Sequence, residues 1–209
     1  MNEKTIFHNG NYYTKEQMKD IVLKYYHDCF KQKYDRHVRM QQLFPSDIPQ
    51  NSRILDFGCG MGGITDLLSR YYASKEAIVD GVDIDEDQIE KAKCAFSDSP
   101  RCKFLLTRDF AYPENAYDLV FSSQVIEHVH NVGNYLSSIS KVLKDSNNGG
   151  GYLLIGVPNV TTPWFFAQTL FFSNSVGKNS LKILSEIITN LTIILTLGIR
   201  LHSLLFWLL

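Results

Sequence analysis

The stretch Arg53–Ser69, RILDFGCGMGGITDLLS, decides how the rest of the chain reads. An apolar run carrying the acid Asp56 gives way to Gly58-Cys59-Gly60-Met61-Gly62-Gly63 and then to an amphipathic run. Glycines at that density are costly in chain entropy, so the backbone there must adopt a conformation, or make an approach, that a side chain forbids. Strand, glycine loop and helix in that order aim backbone N–H groups and a helix N-terminus at a ligand. Gly58, Gly60 and Gly63 also satisfy G-x-G-x-x-G. The glycines alone therefore leave open a nicotinamide cofactor, another nucleoside, or a tight turn that holds nothing.

On either side of this stretch the hydrophobic pattern alternates between two periods. Residues 14–43 contain no Gly or Pro and place Met18, Ile21, Val22 and Tyr25 at helical spacing, which predicts one or two helices. The two prolines of FPSDIPQNS end them. From Arg53 onward RILDF, AIVDGVDI, CKFLLTRD, YDLVFSS and GYLLIGV read as strands. Between them ITDLLSRYY, DEDQIEKAKCAF and VGNYLSSISKVLK read as helices, the second opening on Asp85 as N-cap with Gln88 three residues on. Strand and helix in alternation predict an α/β fold, a mostly parallel, doubly wound sheet with helices on both faces. The expected organisation is an N-terminal helical lid over 1–50, a core over 51–160 and an apolar C-terminal segment over 161–209.

In such a sheet ligands bind at the carboxyl ends of the strands. The first strand ends with Asp56 ahead of the glycines, where a carboxylate can organise the loop and meet a cationic amine. The second ends in GVDID, whose Asp83 lies 20 residues after Gly63, at the spacing of an acid that accepts both hydroxyls of a ribose. The third closes on Arg108-Asp109-Phe110, an acceptor for an adenine amino group beside an apolar ring. The fourth delivers Ser122, Ser123 and Gln124, with Glu127 and His128 one turn further. A dinucleotide fold has no special use for Asp56 or Asp109.

In that order, ILDFGCGMGG, GVDID, RDF, YDLVFSSQVIEHV and VLK…GGGYLLIGVPN resemble the successive motifs of class I S-adenosylmethionine-dependent methyltransferases. The similarity covers roughly residues 51–159, and within the family the motifs are similar to the branch containing the ubiquinone-biosynthesis O-methyltransferases and related small-molecule enzymes. The resemblance implies a Rossmann-like fold and S-adenosylmethionine as cofactor, with S-adenosylhomocysteine as product and no metal. It implies that Gly58, Cys59, Gly60 and Gly62 form the loop under the methionine end while Asp56 supports its amino group. Asp83 would hold the ribose hydroxyls and Ile84 pack on the adenine. Asp109 and the Phe110 N–H would meet the adenine edge, and Ser123 and Gln124 line the cleft. His128 is the candidate base for a hydroxyl acceptor, with His130 second and Glu127 as orienter; a loop-tying role for His128 stays open. Cys59 reads as a small residue that fits, since no activating group stands near it in sequence.

Composition narrows the partners. A net charge of −1 shows no pull toward nucleic acid, and SSQV stands where base amino-methylating enzymes carry their N/D-P-P-Y/F tetrad. The acceptor is therefore expected to be a small or lipid-like molecule, with no nucleic acid. Four separated cysteines, Cys29, Cys59, Cys94 and Cys102, make neither a zinc motif nor a disulfide framework. MNEKTIFHNG lacks the apolar core of a signal peptide, so a reducing cytoplasm is expected. The end of the chain departs from the family pattern: 181–209 reads as a long apolar helix with a thin polar stripe from Ser185 to Ser203. It would lie on a membrane surface or a protein partner, span a bilayer, or be the remnant of a lost acceptor region. Two rival functions follow, a cofactor-binding protein without turnover and an NAD-dependent oxidoreductase.

Overall fold

The computed structural model describes residues 6–32 and 40–156. These fall in two compact units that meet in sequence at Ala111 and Tyr112. Their architecture is α/β, with parallel strands and intervening helices, as the alternation predicts.

The first unit opens with an element that the helical reading of the N-terminus did not contain. β1 (Ile6–His8) and β2 (Asn11–Tyr13) form an antiparallel hairpin, with His8 opposite Asn11. Its two loop residues, Asn9 and Gly10, hold φ of 47° and 82°. Asn-Gly is the pair that accepts left-handed φ at both central positions of a tight hairpin turn. Thr14 then starts α1 (Lys15–Gln32) with a capping box. Its Oγ1 accepts from the Gln17 N–H at 3.2 Å while Gln17 Oε1 accepts from the Thr14 N–H at 2.9 Å.

The parallel part of this unit contains β3 (Arg53–Phe57), α2 (Gly63–Tyr71), β4 (Ile78–Asp83), α3 (Glu86–Ala95) and β5 (Cys102–Leu106). β4 lies in the middle, its Gly81 opposite Asp56 of β3 and Phe104 of β5. Asp85 caps α3, its Oδ1 accepting from the N–H of Asp87 at 2.9 Å and of Gln88 at 3.3 Å. α2 buries Leu67 and Leu68 and its C-cap Tyr72 is buried as well, whereas Tyr71 remains 41% exposed with its ring edge-on to Phe44.

α1 docks on α3. Met18 and Val22 share one apolar cluster with Ile89, Ala92, Cys94 and Phe96. Lys19 pairs with Asp98 at 2.7 Å, and the Cys94 thiol donates to the Lys15 carbonyl at 3.0 Å. Of the other two predicted positions, Ile21 is half-buried and Tyr25 exposed.

In the second unit, β6 (Leu119–Ser123), α4 (Val132–Val142) and β7 (Tyr152–Gly156) follow one another, and β6 pairs with β7 in parallel. Tyr135, Leu136, Ile139 and Val142 are buried along α4. The apolar 181–209 segment lies outside the described residues, as do Tyr34 and His37 of the expected lid. Among the described residues no helix is long and apolar enough to cross a membrane.

Met18 is fully buried, so Met18→Ala should lower the unfolding free energy by about 2–5 kcal/mol in denaturant titration. A loss below about 0.5 kcal/mol would mean that α1 does not contribute to the core.

Candidate functional site

The loop after β3 is shaped by three left-handed glycines, Gly58, Gly60 and Gly62, with φ of 88°, 52° and 85°. Each amide is then used. The N–H groups of Gly58 and Cys59 donate to the Val82 carbonyl at 2.7 and 3.1 Å, fastening the loop to the end of β4. The Gly60 N–H donates to Asp83 Oδ2 at 2.8 Å, and Asp83 Oδ1 accepts from the Asp85 N–H at 2.9 Å. One carboxylate thus joins the glycine loop to the turn that starts α3.

The glycines differ in what they are for. A Cβ on Gly62 would stand 2.6 Å from the Phe104 ring, so this position forbids any side chain twice over, by space and by φ. A Cβ on Gly60 would meet nothing within 4 Å. The backbone there borders open space and keeps it open, which is what close approach of a ligand requires.

Asp56 is 2% exposed, and its Oδ2 accepts from the Thr65 hydroxyl at 2.7 Å. No Lys, Arg or His among the described residues pairs with it. Burial pushes its carboxyl up to about 7, Asp83's charge adds to this, and the Thr65 hydrogen bond opposes it. Cys59 is buried too, and burial with the charges of Asp56 and Asp83 drives its thiol far above the ordinary range. It stays protonated and fills space.

The remaining first-unit residues sit at neighbouring strand ends. Ile84 follows β4 and is 86% exposed, a large apolar side chain held out beside the loop. Asp109 is exposed at the end of a 3-10 turn over Thr107–Asp109. Phe110 is buried, and its N–H, expected to meet an adenine edge, donates to the Thr107 carbonyl at 3.3 Å.

In the second unit Ser122 is buried and its hydroxyl accepts from the Tyr135 hydroxyl at 2.6 Å. Ser123 is half-buried, and a Cβ on Gly156 would lie 2.5 Å from its Oγ. Gln124 is exposed with φ of 60°, a left-handed turn immediately after the strand, and its N–H donates to the Gly156 carbonyl at 2.9 Å. Non-glycine residues in that region carry strain of order 1–3 kcal/mol and concentrate at functional sites. His128 is exposed on the short turn Ile126–His128. Glu127 is half-buried; its Oε2 is shut from solvent without a hydrogen-bond partner among the described residues, and burial raises its carboxyl above the usual range. That oxygen therefore does not orient the His128 ring by a direct bond.

Sequence reading did not single out Thr65, Gly81 or Phe104. Gly81 did carry a signal, since glycine inside a strand marks a close approach. A Cβ there would stand 2.9 Å from both Phe104 and the Thr65 hydroxyl.

Asp56 makes the fold sensitive to pH. Its folded value near 7 exceeds an unfolded value near 3.8, so folding favours the protonated form. The associated stability is full below about pH 4 and is lost as pH rises to about 7. Relative to Asp56→Asn, the wild-type chain should lose on the order of 4 kcal/mol between pH 4 and 8. Parallel denaturation curves for the two proteins over that range would refute a buried, protonated Asp56.

A family model described as a methyltransferase domain matches residues 27–180. The ubiquinone biosynthesis O-methyltransferase of Bradyrhizobium diazoefficiens is 32% identical over 59% of this chain and 46% of its own. The mitochondrial ubiquinone biosynthesis O-methyltransferase of Homo sapiens is 33% identical over 60% of this chain and 33% of its own. The chain thus spans about half, or less, of the length of these curated relatives. Among solved structures, a SAM-dependent methyltransferase from Aquifex aeolicus superposes with a TM-score of 0.46 at 18% identity, over 53% of this chain and 58% of its own.

Proposed function

The chain belongs to the methyltransferase-domain family, and on that premise we propose that it transfers a methyl group from S-adenosylmethionine to a hydroxyl oxygen of a small acceptor. The observation that carries the proposal is Asp56. A buried carboxylate without a cation, next to a second carboxylate and an open glycine loop, suits the ammonium of an amino-acid nucleoside. A dinucleotide site would use Asp83 as the acid on its ribose but has no use for a buried carboxylate at Asp56. S-adenosylmethionine supplies a methyl group made electrophilic by its sulfonium, and leaves as S-adenosylhomocysteine.

In this reading the chain's residues bind, orient and move one proton. Asp56 receives the ammonium and the Gly58–Gly62 loop underlies the methionine end. Asp83 accepts from the ribose hydroxyls; both its oxygens already hold backbone N–H groups, yet each carboxylate oxygen retains a second acceptor site. Ile84 covers one adenine face, Asp109 meets its edge, the Phe110 N–H reaches that edge only by giving up its 3.3 Å bond to the Thr107 carbonyl, and Ser123 and Gln124 line the methyl-transfer cleft. His128 takes the acceptor's proton as its oxygen attacks. No metal is part of the scheme.

The relatives are named for O-methylation in ubiquinone biosynthesis, which supports an oxygen acceptor of low polarity. The same proposal includes a lid role for 1–50, and 181–209 as a surface for a membrane or protein partner that brings a lipid-like acceptor. The same proposal sets the chain in a reducing cytoplasm.

A methyl-transfer assay with labelled S-adenosylmethionine and phenolic acceptors, with and without an alkyl tail, tests this. His128→Ala should slow turnover by about 10²–10⁴-fold while leaving S-adenosylhomocysteine affinity unchanged. An unaltered rate would return His128 to a structural role.

A further inference from the structure

Thr65 has no role in the readings above, yet it is fully buried and donates the one side-chain hydrogen bond to Asp56 found among the described residues. It stands on the first turn of α2, and its hydroxyl occupies the space left by the missing side chain of Gly81 on β4. One strand and one helix are therefore joined by a single 2.7 Å bond, in space that Gly81 of the neighbouring strand leaves free.

We propose that Thr65 is a positioning residue for cofactor capture, its hydroxyl holding the Asp56 carboxylate ready in the charged form that receives a cationic amine. The inference rests on the S-adenosylmethionine reading of the loop. A hydroxyl donor stabilises a carboxylate over the neutral acid. The groups around Asp56 do not offer the same help. On its own strand, Arg53 is engaged with Asp80 of β4 at 2.7 Å, and on α2 Arg70 is engaged with Asp66 at 2.8 Å. Asp83, at the end of β4, adds a like charge. The Cys59 and Cys102 thiols, whose own titration feels Asp56, are both held protonated by burial. Among the described residues only the Thr65 hydroxyl favours the charge, and Asp56 still sits at about 7.

Capture of the amine then releases a proton. At pH below 7 part of the protein carries neutral Asp56; the incoming ammonium requires the carboxylate, and the proton passes to solvent. No other bond forms or breaks. Losing the hydroxyl makes that ionisation harder, so it weakens binding at low pH. At high pH, where Asp56 is charged before and after binding, it does not.

The test is calorimetric titration of the full chain with S-adenosylhomocysteine at pH 6 and pH 8.5. Wild type should bind about tenfold more weakly per pH unit below 7. Thr65→Val keeps the volume and removes the donor. It should bind about tenfold more weakly than wild type at pH 6, and within about threefold of it at pH 8.5. Thr65→Ser should restore the wild-type profile. For wild type, titration at pH 6.5 in buffers of different ionisation enthalpy should show net proton release, a readout independent of how well any variant folds. An equal deficit for Thr65→Val at both pH values would assign Thr65 to packing alone and overturn the inference. So would wild-type binding without proton release, which would leave the cofactor reading standing. Failure of wild type to bind at either pH would overturn both.

Discussion

Two carboxylates drawn to one glycine loop are the constraint on which the first unit depends. Asp83 takes the Gly60 amide on one oxygen and the Asp85 amide on the other, so the loop after β3 and the turn into α3 share an anchor. Asp56 lies buried behind the same loop, held by Thr65 of α2. Like charges converging in a dry place are unfavourable, and burial raises Asp56 accordingly. An arrangement that opposes folding at neutral pH is retained where the charge has a use. A cationic ligand supplies that use, because it relieves the repulsion between the two carboxylates.

The packing around the loop makes the arrangement rigid. Gly62 and Gly81 both exist for Phe104, which fills the space a side chain on either would need. Val82 receives two amides from the loop, and Thr65 closes the other side. Backbone, ring and hydroxyl leave the loop little freedom except over Gly60, where space is open. Site residues on rigid strand ends are more precise than residues on free loops, and this loop behaves as a strand end.

Much of this was legible in the sequence, for reasons that differ by element. β3 was read to the residue, because an apolar run is sharply bounded where glycines begin. The Asp85 cap was legible because its geometry is local. The hairpin at Ile6–Tyr13 was missed although Asn9-Gly10 is a strong turn signal, because its strands are three residues each and carry little periodicity. Thr65 was missed because its meaning depends on Gly81, a residue 16 positions away that only the fold brings beside it. The unpartnered Glu127 oxygen was hidden for the same reason. Sequence names residue types and spacings; burial of a polar atom is a property of what surrounds it.

The central claim is that the loop after β3 receives an amino-acid nucleoside and not a dinucleotide. Equilibrium titration of the full chain at pH 8 with S-adenosylhomocysteine and, in parallel, with NAD tests it most directly. Saturable binding of S-adenosylhomocysteine, weakened by about 2–3 kcal/mol in Asp83→Ala, and no binding of NAD are expected. Binding of NAD alone would contradict it, because the buried Asp56 would then have no cationic amine to meet.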